Sequence, residues 1–85
     1  MVGIAKVIPT EKFEKDVRKI KDKSIKGRID GEVKRILENP EIGKPQRYGL
    51  KGERTVRINP YRLIYSVVEN ELILLRFEHR GKAYD

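Results

Sequence analysis

The spacing of the apolar residues changes at Asn39-Pro40, and this change constrains the fold more than any other feature of the sequence. Before it, apolar side chains recur every three or four residues, as on a helix with one buried stripe. They are Phe13, Val17 and Ile20, followed by Ile25, Ile29, Val33, Ile36 and Leu37. After it come short runs rich in β-branched and aromatic residues, which are typical of strands. The chain therefore divides into a helical first half and a β-rich second half.

Local start and stop signals bound the two helices. Thr10 stands at an N-cap position before the first stripe, and Ser24 stands at one before the second. Pro40 ends the second helix, because the residue before a proline avoids helical geometry. Residues 2–8 are rich in β-branched side chains and are followed by Pro9, so they predict a strand ahead of the helical hairpin.

The second half predicts a meander of strands. Strand patterns cover residues 53–59, 62–68 and 72–77, with a weaker candidate at residues 46–50 and a tight turn at Glu69-Asn70. The predicted order is β-α-α-β-β-β. We expect an α+β fold in which the helical hairpin packs on one face of an antiparallel sheet. A chain of 85 residues has room for one core, so we expect residues 1–85 to form a single domain.

Composition excludes several kinds of chemistry. The absence of Cys rules out disulfides and thiol catalysis, and a single His argues against a metal site, so we expect no cofactor. No apolar run approaches the ~20 residues that span a bilayer, and no signal peptide follows Met1. We therefore expect a cytoplasmic protein without a membrane partner. The net charge of +7 predicts a polyanionic partner, either nucleic acid or an acidic protein.

In the middle of the β-rich half, between residues 44 and 62, six basic residues stand against a single acidic one, Glu53. They are Lys44, Arg47, Lys51, Arg54, Arg57 and Arg62. On a strand, Arg presents a planar fork to phosphate and a stacking plane to bases. We interpret the cluster as an RNA-binding concavity lined by the sheet. The alternative is a solvated sheet face that is polar because nothing covers it.

Such a face can support RNA cleavage without a metal. The 2′-hydroxyl of the RNA attacks its own adjacent phosphate, so the substrate supplies the nucleophile. The protein supplies cations around the phosphorane, an acid for the leaving 5′-oxygen and a base. Arg can only be a cation, whereas Tyr and His can transfer protons. The residues of these types nearest the sheet and its C-terminal edge are Arg57, Arg62, His79, Arg80 and Tyr84.

Four segments resemble the RelE/ParE superfamily of toxin–antitoxin toxins, and the similarity covers nearly the whole chain. They are Asn39-Pro40, Arg54-Thr-Val-Arg57-Ile, Tyr61-Arg62-Leu-Ile-Tyr65-Ser-Val and His79-Arg80-Gly-Lys-Ala-Tyr84. The ending is most similar to short archaeal RelE-like members. The resemblance implies a microbial ribonuclease-like fold and a ribosome-dependent mRNA endonuclease that cuts by the 2′-hydroxyl route. It also implies a small acidic RelB-like antitoxin that wraps the domain with an amphipathic helix.

The resemblance also implies individual roles. Arg62 matches the arginine that contacts the scissile phosphate, and Arg57 matches a basic strand position that stabilises the transition state. Arg80 matches an arginine that supports activity in archaeal-type members. Tyr84 matches the terminal tyrosine that stacks on a base or orients the nucleophile. We further predict RNA contacts for a flanking set of basic residues, namely Arg47, Lys51, Arg54 and Lys82.

One departure from the family pattern leaves the base open. Thr55 and Arg57 stand where bacterial RelE members carry two lysines. Proton transfer then falls to His79, unless His79 is a half-buried structural residue, or unless activity is reduced or absent. Two other functions therefore stay open: a ParE-like toxin that binds DNA gyrase without cutting RNA, and an inactive relative that binds an antitoxin or an operator.

Overall fold

The computed structural model describes residues 4–45 and 52–80. Its elements follow the predicted order, with one additional two-residue strand after the second helix. They are β1 (Lys6–Pro9), α1 (Glu11–Arg18), α2 (Lys23–Glu38), β2 (Lys44–Pro45), β3 (Glu53–Ile58), β4 (Tyr61–Val68) and β5 (Glu71–His79). The strand candidate at residues 46–50 lies outside the described residues. No helix in the described ranges is both long enough and apolar enough to cross a membrane.

The five strands form one sheet in the order β1-β5-β4-β3-β2. The predicted antiparallel pairing is confirmed from β2 to β5. The edge strand β1 instead runs parallel to β5, so the sheet is mixed. The helices explain the difference, because a parallel partner needs a long crossover connection and the chain between β1 and the rest of the sheet contains both helices.

Both helices pack on the same face of the sheet, as predicted. The core combines the buried side chains of the helical stripes with the helix-facing side chains of β3, β4 and β5. Its buried members are Phe13, Ile20, Ile25, Ile29, Ile36, Ile58, Leu63, Tyr65, Leu72, Leu74 and Phe77. The opposite face, which we call the open face, is not covered by either helix.

Helix α1 is fixed to β5 at the point where β1 ends. Thr10 is its N-cap, as predicted: its Oγ1 accepts from the Phe13 N–H and donates to the carbonyls of Leu74 and Leu75. One turn later, the buried Asp16 accepts a 3.0 Å hydrogen bond from the Phe77 N–H, which lies beyond the reach of β1. These bonds tie the start of α1 to the β5 backbone, and Asp16 supplies an acceptor for the Phe77 N–H beyond the end of the β1 pairing.

The start of α2 differs from the prediction. Asp22, and not Ser24, is the N-cap, and its carboxylate accepts from both the N–H and the hydroxyl of Ser24 at 2.8 Å. These hydrogen bonds lower the pKa of Asp22. Both residue types can cap a helix, and the carboxylate lies two residues earlier, so the helix begins there. At the other end, α2 stops at Glu38 with Asn39 as C-cap, next to Pro40 as predicted.

Candidate functional site

A row of three charged residues crosses the open face. Arg57 on β3, Arg62 on β4 and Glu78 on β5 are successive register partners, so neighbouring residues in the row lie on strands about 4.8 Å apart. Two like charges directly opposite each other destabilise a strand pair. The Arg57–Arg62 pair therefore places two positive charges on neighbouring strands, and the Glu78 carboxylate, 3.8 Å from Arg62, offsets this repulsion in part. A bound anion would offset it further.

A chain of ion pairs extends from this row. Arg76 binds the Glu53 carboxylate at 2.9 Å and donates from Nε to Glu78 Oε1 at 2.6 Å, while Glu78 Oε2 lies 3.8 Å from Arg62 Nη2. Burial acts to lower the pKa of Arg76, but the hydrogen bonds to both carboxylates outweigh it and raise the pKa. Arg76 is therefore a fixed cation between two carboxylates.

The open face is a packed surface and not merely a solvated one. The Arg76–Glu53 contact joins β5 to β3, so the two side chains meet above β4. Ile64 on β4 is the register partner of both Thr55 and Arg76, and it is completely buried although it lies outside the helix-side core. Because the side chains around the row pack over an apolar residue, their positions are restricted.

Arg80 and His79 follow the row along β5 but are placed differently. The Arg80 N–H donates to the Pro60 carbonyl at 2.8 Å, which holds Arg80 at the same end of the sheet as the row. His79 is the register partner of Tyr61 and meets the Tyr61 ring edge-on at 5.3 Å. Tyr61 also stacks on the core residue Phe77. His79 therefore lies on the helix side, away from the row, and it is exposed and not half-buried. Its part in proton transfer stays a prediction.

Arg54 has a structural role that the sequence prediction missed. It lies on the same face of β3 as Val56 and Ile58, which is the helix side, and so on the opposite face from Arg57. Its Nη1 donates to the carbonyls of Gly43 at 2.7 Å and Glu41 at 3.3 Å, which fixes the loop after α2. Arg54 is therefore a loop anchor in the free protein, and its RNA contact stays a prediction. The other predicted site residues lie outside the described residues: Arg47, Lys51, Lys82 and Tyr84.

A small cavity of about 280 Å³ adjoins the row beside Arg57. Lys44 is also among its lining residues, as are Glu32 and Arg35 of α2, which are already paired with each other at 3.0 Å. The cavity extends the basic surface towards the β2 edge of the sheet. Within the ranges that the structure describes, no group of three or more His, Cys, Asp or Glu side chains could hold a metal ion.

Sequence reasoning did not identify Glu78, Arg76 and Glu53 as part of this site. The basic cluster lies within residues 44–62, whereas Arg76 and Glu78 belong to a strand whose sequence is mainly apolar and so indicates only a buried strand. Their alternation along β5 was the available signal, because residues two apart share a face of a strand. The pairing of Glu78 with Arg62 also depends on the register of β5 against β4, which side-chain alternation alone does not determine.

Comparison with known proteins identifies the family. The family described as the ParE toxin of type II toxin–antitoxin systems, parDE, matches residues 7–84. The chain therefore belongs to this toxin family, within the RelE/ParE superfamily. No curated protein sequence gives a significant match.

Solved structures agree with this assignment. The toxin–antitoxin complex RelBE2 from Mycobacterium tuberculosis contains a chain that is 26% identical, with a TM-score of 0.73 over 88% of this chain and 96% of that one. Two further structures share the fold: the RelB–RelE complex from Methanococcus jannaschii and a mutant of the E. coli toxin RelE in the free state. The first is 20% identical with a TM-score of 0.73 over 92% of this chain and 95% of that one. The second is 18% identical with a TM-score of 0.75 over 98% of this chain and 87% of that one.

Proposed function

We propose that this toxin is a ribosome-dependent mRNA endonuclease that cuts by attack of the RNA 2′-hydroxyl on its own phosphate. The observation that carries the proposal is the row on the open face, where Arg57 and Arg62 are direct register partners. Two arginines on neighbouring strands and the same face of a sheet suit a phosphate that gains negative charge in the transition state. Arg80, held at the same end of the sheet, adds a third basic residue.

The second candidate is a toxin that binds DNA gyrase and cuts nothing. The match to the ParE family and the threonine at position 55 favour it, since Thr55 stands where bacterial RelE-type members carry a lysine. The Arg57–Arg62 pair favours RNA cleavage, because two neighbouring arginines are a common way to bind one phosphate group, whereas binding to a protein surface does not require them.

The first experiment adds the protein to a translation reaction and maps the 5′ ends of the mRNA. We expect discrete new ends with the wild type and a loss of cleavage of at least about 100-fold with Arg62→Ala, because a fixed cation at the phosphate is lost. Arg18→Ala is the matched control, since Arg18 is an exposed arginine of α1 in the helix layer, and it should cut like the wild type. A gyrase supercoiling assay runs in parallel.

Each outcome of this experiment assigns a function. Cleavage that depends on Arg62 supports the endonuclease. Full cleavage by Arg62→Ala contradicts the proposed site. Intact mRNA together with inhibited supercoiling supports the gyrase-binding toxin instead.

The proposed partner is an acidic antitoxin that docks an amphipathic helix on the helix side. Two of the similar structures are toxin–antitoxin complexes. A groove of about 810 Å³ runs between α1, α2 and β1, and apolar side chains of all three elements line it, among them Val7, Val17, Val33 and Leu37. An apolar groove between helices accommodates the apolar face of a partner helix, and the net charge of +7 favours an acidic partner.

A further inference from the structure

Glu78 is the acidic member of the Arg57–Arg62–Glu78 row. Its backbone is directly opposite Arg62, and its carboxylate lies on the same face as both arginines of the proposed phosphate site. A phosphate-binding site built from arginines does not need a carboxylate beside them, since the negative charge of the carboxylate repels the phosphate. Its presence therefore calls for a role of its own.

The two carboxylate oxygens of Glu78 have different surroundings. Oε1 accepts a 2.6 Å hydrogen bond from Arg76 Nε, and Arg76 is itself held by the nearly buried Glu53. Oε2 lies 3.8 Å from Arg62 Nη2, which is beyond hydrogen-bond distance. One oxygen thus fixes the group, while the other lies towards the phosphate site and can accept a proton.

We infer that Glu78 is the general base of the cleavage reaction, an inference that rests on the proposed endonuclease function. Oε2 takes the proton of the 2′-hydroxyl while the 2′-oxygen forms a bond to the adjacent phosphorus. The bond from phosphorus to the 5′-oxygen breaks, its electron pair stays on that oxygen, and the oxygen takes a proton from water. The resulting hydroxide neutralises the protonated Glu78, and the products are a 2′,3′-cyclic phosphate and a 5′-hydroxyl.

Other described residues are poorly placed for this role. His79 lies on the opposite face of the sheet, beside Tyr61. Glu53 is nearly buried and is bound to Arg76. Glu71 shares β5 with Glu78 but lies seven residues away, about 23 Å along the strand. Glu78 is thus the carboxylate of the described open face that directly adjoins Arg62.

The test compares Glu78→Gln with Glu71→Gln, the same change on the same strand away from the row. Ribosomes programmed with mRNA are cut under single-turnover conditions across a range of pH. Affinity is measured separately on mRNA with a 2′-deoxynucleotide at the cleavage position. We expect Glu78→Gln to cut at least about 100-fold more slowly with unchanged affinity, because loss of a general base removes rate and not binding. Glu71→Gln should match the wild type.

The pH profile separates a base from a merely structural residue. A carboxylate base gives the wild-type rate an acid limb, since its protonated form cannot accept a proton, and Glu78→Gln should lose this limb. Glu78→Asp keeps the carboxylate and should keep the limb at a lower rate, and it decides the matter if the Gln variant fails to fold. A retained limb in Glu78→Gln, a flat profile in a folded Glu78→Asp, or parallel losses of rate and affinity would overturn the inference.

The same experiment separates this inference from the proposed function. If the wild type cuts mRNA and Glu78→Gln cuts equally well, only the role of Glu78 is wrong. If the wild type leaves mRNA intact, both the endonuclease function and the general base are wrong.

Discussion

Tyr65 joins the sheet to the loop that follows α2. Its hydroxyl donates to the Pro40 carbonyl at 2.7 Å and accepts from the Gly43 N–H at 3.0 Å. The contact is so close that a Cβ on Gly43 would lie 2.6 Å from that hydroxyl, which explains a glycine at this position. Burial raises the pKa of Tyr65, and the Gly43 hydrogen bond and the Arg54 charge oppose this only in part.

We predict that Tyr65→Phe lowers the free energy of unfolding by about 1–3 kcal/mol at neutral pH, because Gly43 and Pro40 lose their partners. The deficit should shrink above about pH 10, where tyrosine ionises in the unfolded chain. Because the pKa of Tyr65 is higher in the folded protein than in the unfolded chain, its contribution to stability is complete below that pH. The contribution is lost as the pH rises through the folded-state pKa. Phenylalanine has no such contribution to lose.

Urea unfolding of both proteins at neutral and alkaline pH tests this prediction. Tyr61→Phe is the control at neutral pH, since the contacts described for Tyr61 are made by its ring, with Phe77 and His79. A deficit that stays constant or grows with pH would contradict the assigned role of Tyr65.

At the scale of elements, periodicity predicted the helices and the main strands but not their mutual register. The helical stripes end at Ile20 and Leu37, close to the ends of α1 and α2. On β5, strict alternation places Phe77 with Ile73, whereas the structure buries Phe77 with Leu74 and Leu72. A register irregularity in the pairing of β4 with β5, between Ile64 and Tyr65, causes the change of face.

Neither the parallel pairing of β1 with β5 nor the row on the open face was predicted, and the reason is related. Side-chain alternation indicates which residues share a face, but it does not indicate which strands become neighbours. Arg62 and Arg57 were predicted singly from the resemblance, and their pairing follows from the tight connection between β3 and β4. The tight turn at Glu69-Asn70 alone would place Phe77 opposite Arg62, and the irregularity between Ile64 and Tyr65 makes Glu78 the partner instead.

The groove between α1, α2 and β1 carries a prediction of its own. Val33→Glu should weaken binding of the cognate antitoxin at least about tenfold, since it places a charge in an apolar groove facing an acidic partner. Val68→Glu is the matched control, because Val68 is exposed at the far end of β4 from Arg62. Titration of each variant with the antitoxin gives the affinities, and equal binding by both would contradict docking in the groove. Both variants should still cut mRNA.

At the scale of the whole molecule, the sheet separates two surfaces. The Arg57–Arg62–Glu78 row lies on the open face, and the apolar groove lies on the helix side. An antitoxin helix in the groove would leave the row uncovered, so inhibition would have to come from the rest of the antitoxin or from exclusion of the complex from the ribosome. If RNA is the substrate, as proposed, the net charge of +7 would strengthen its binding at low salt, and we expect this contribution to weaken as salt is added.

The most direct test of this account changes the substrate and leaves the protein intact. The mRNA carries a single 2′-deoxynucleotide on the 5′ side of a mapped cleavage position, and a second mRNA carries it a few nucleotides away as the control. If the 2′-hydroxyl is the nucleophile held among Arg57, Arg62 and Glu78, the first mRNA stays intact at that position and the second is cut normally. Equal cleavage of both mRNAs would contradict the proposed reaction.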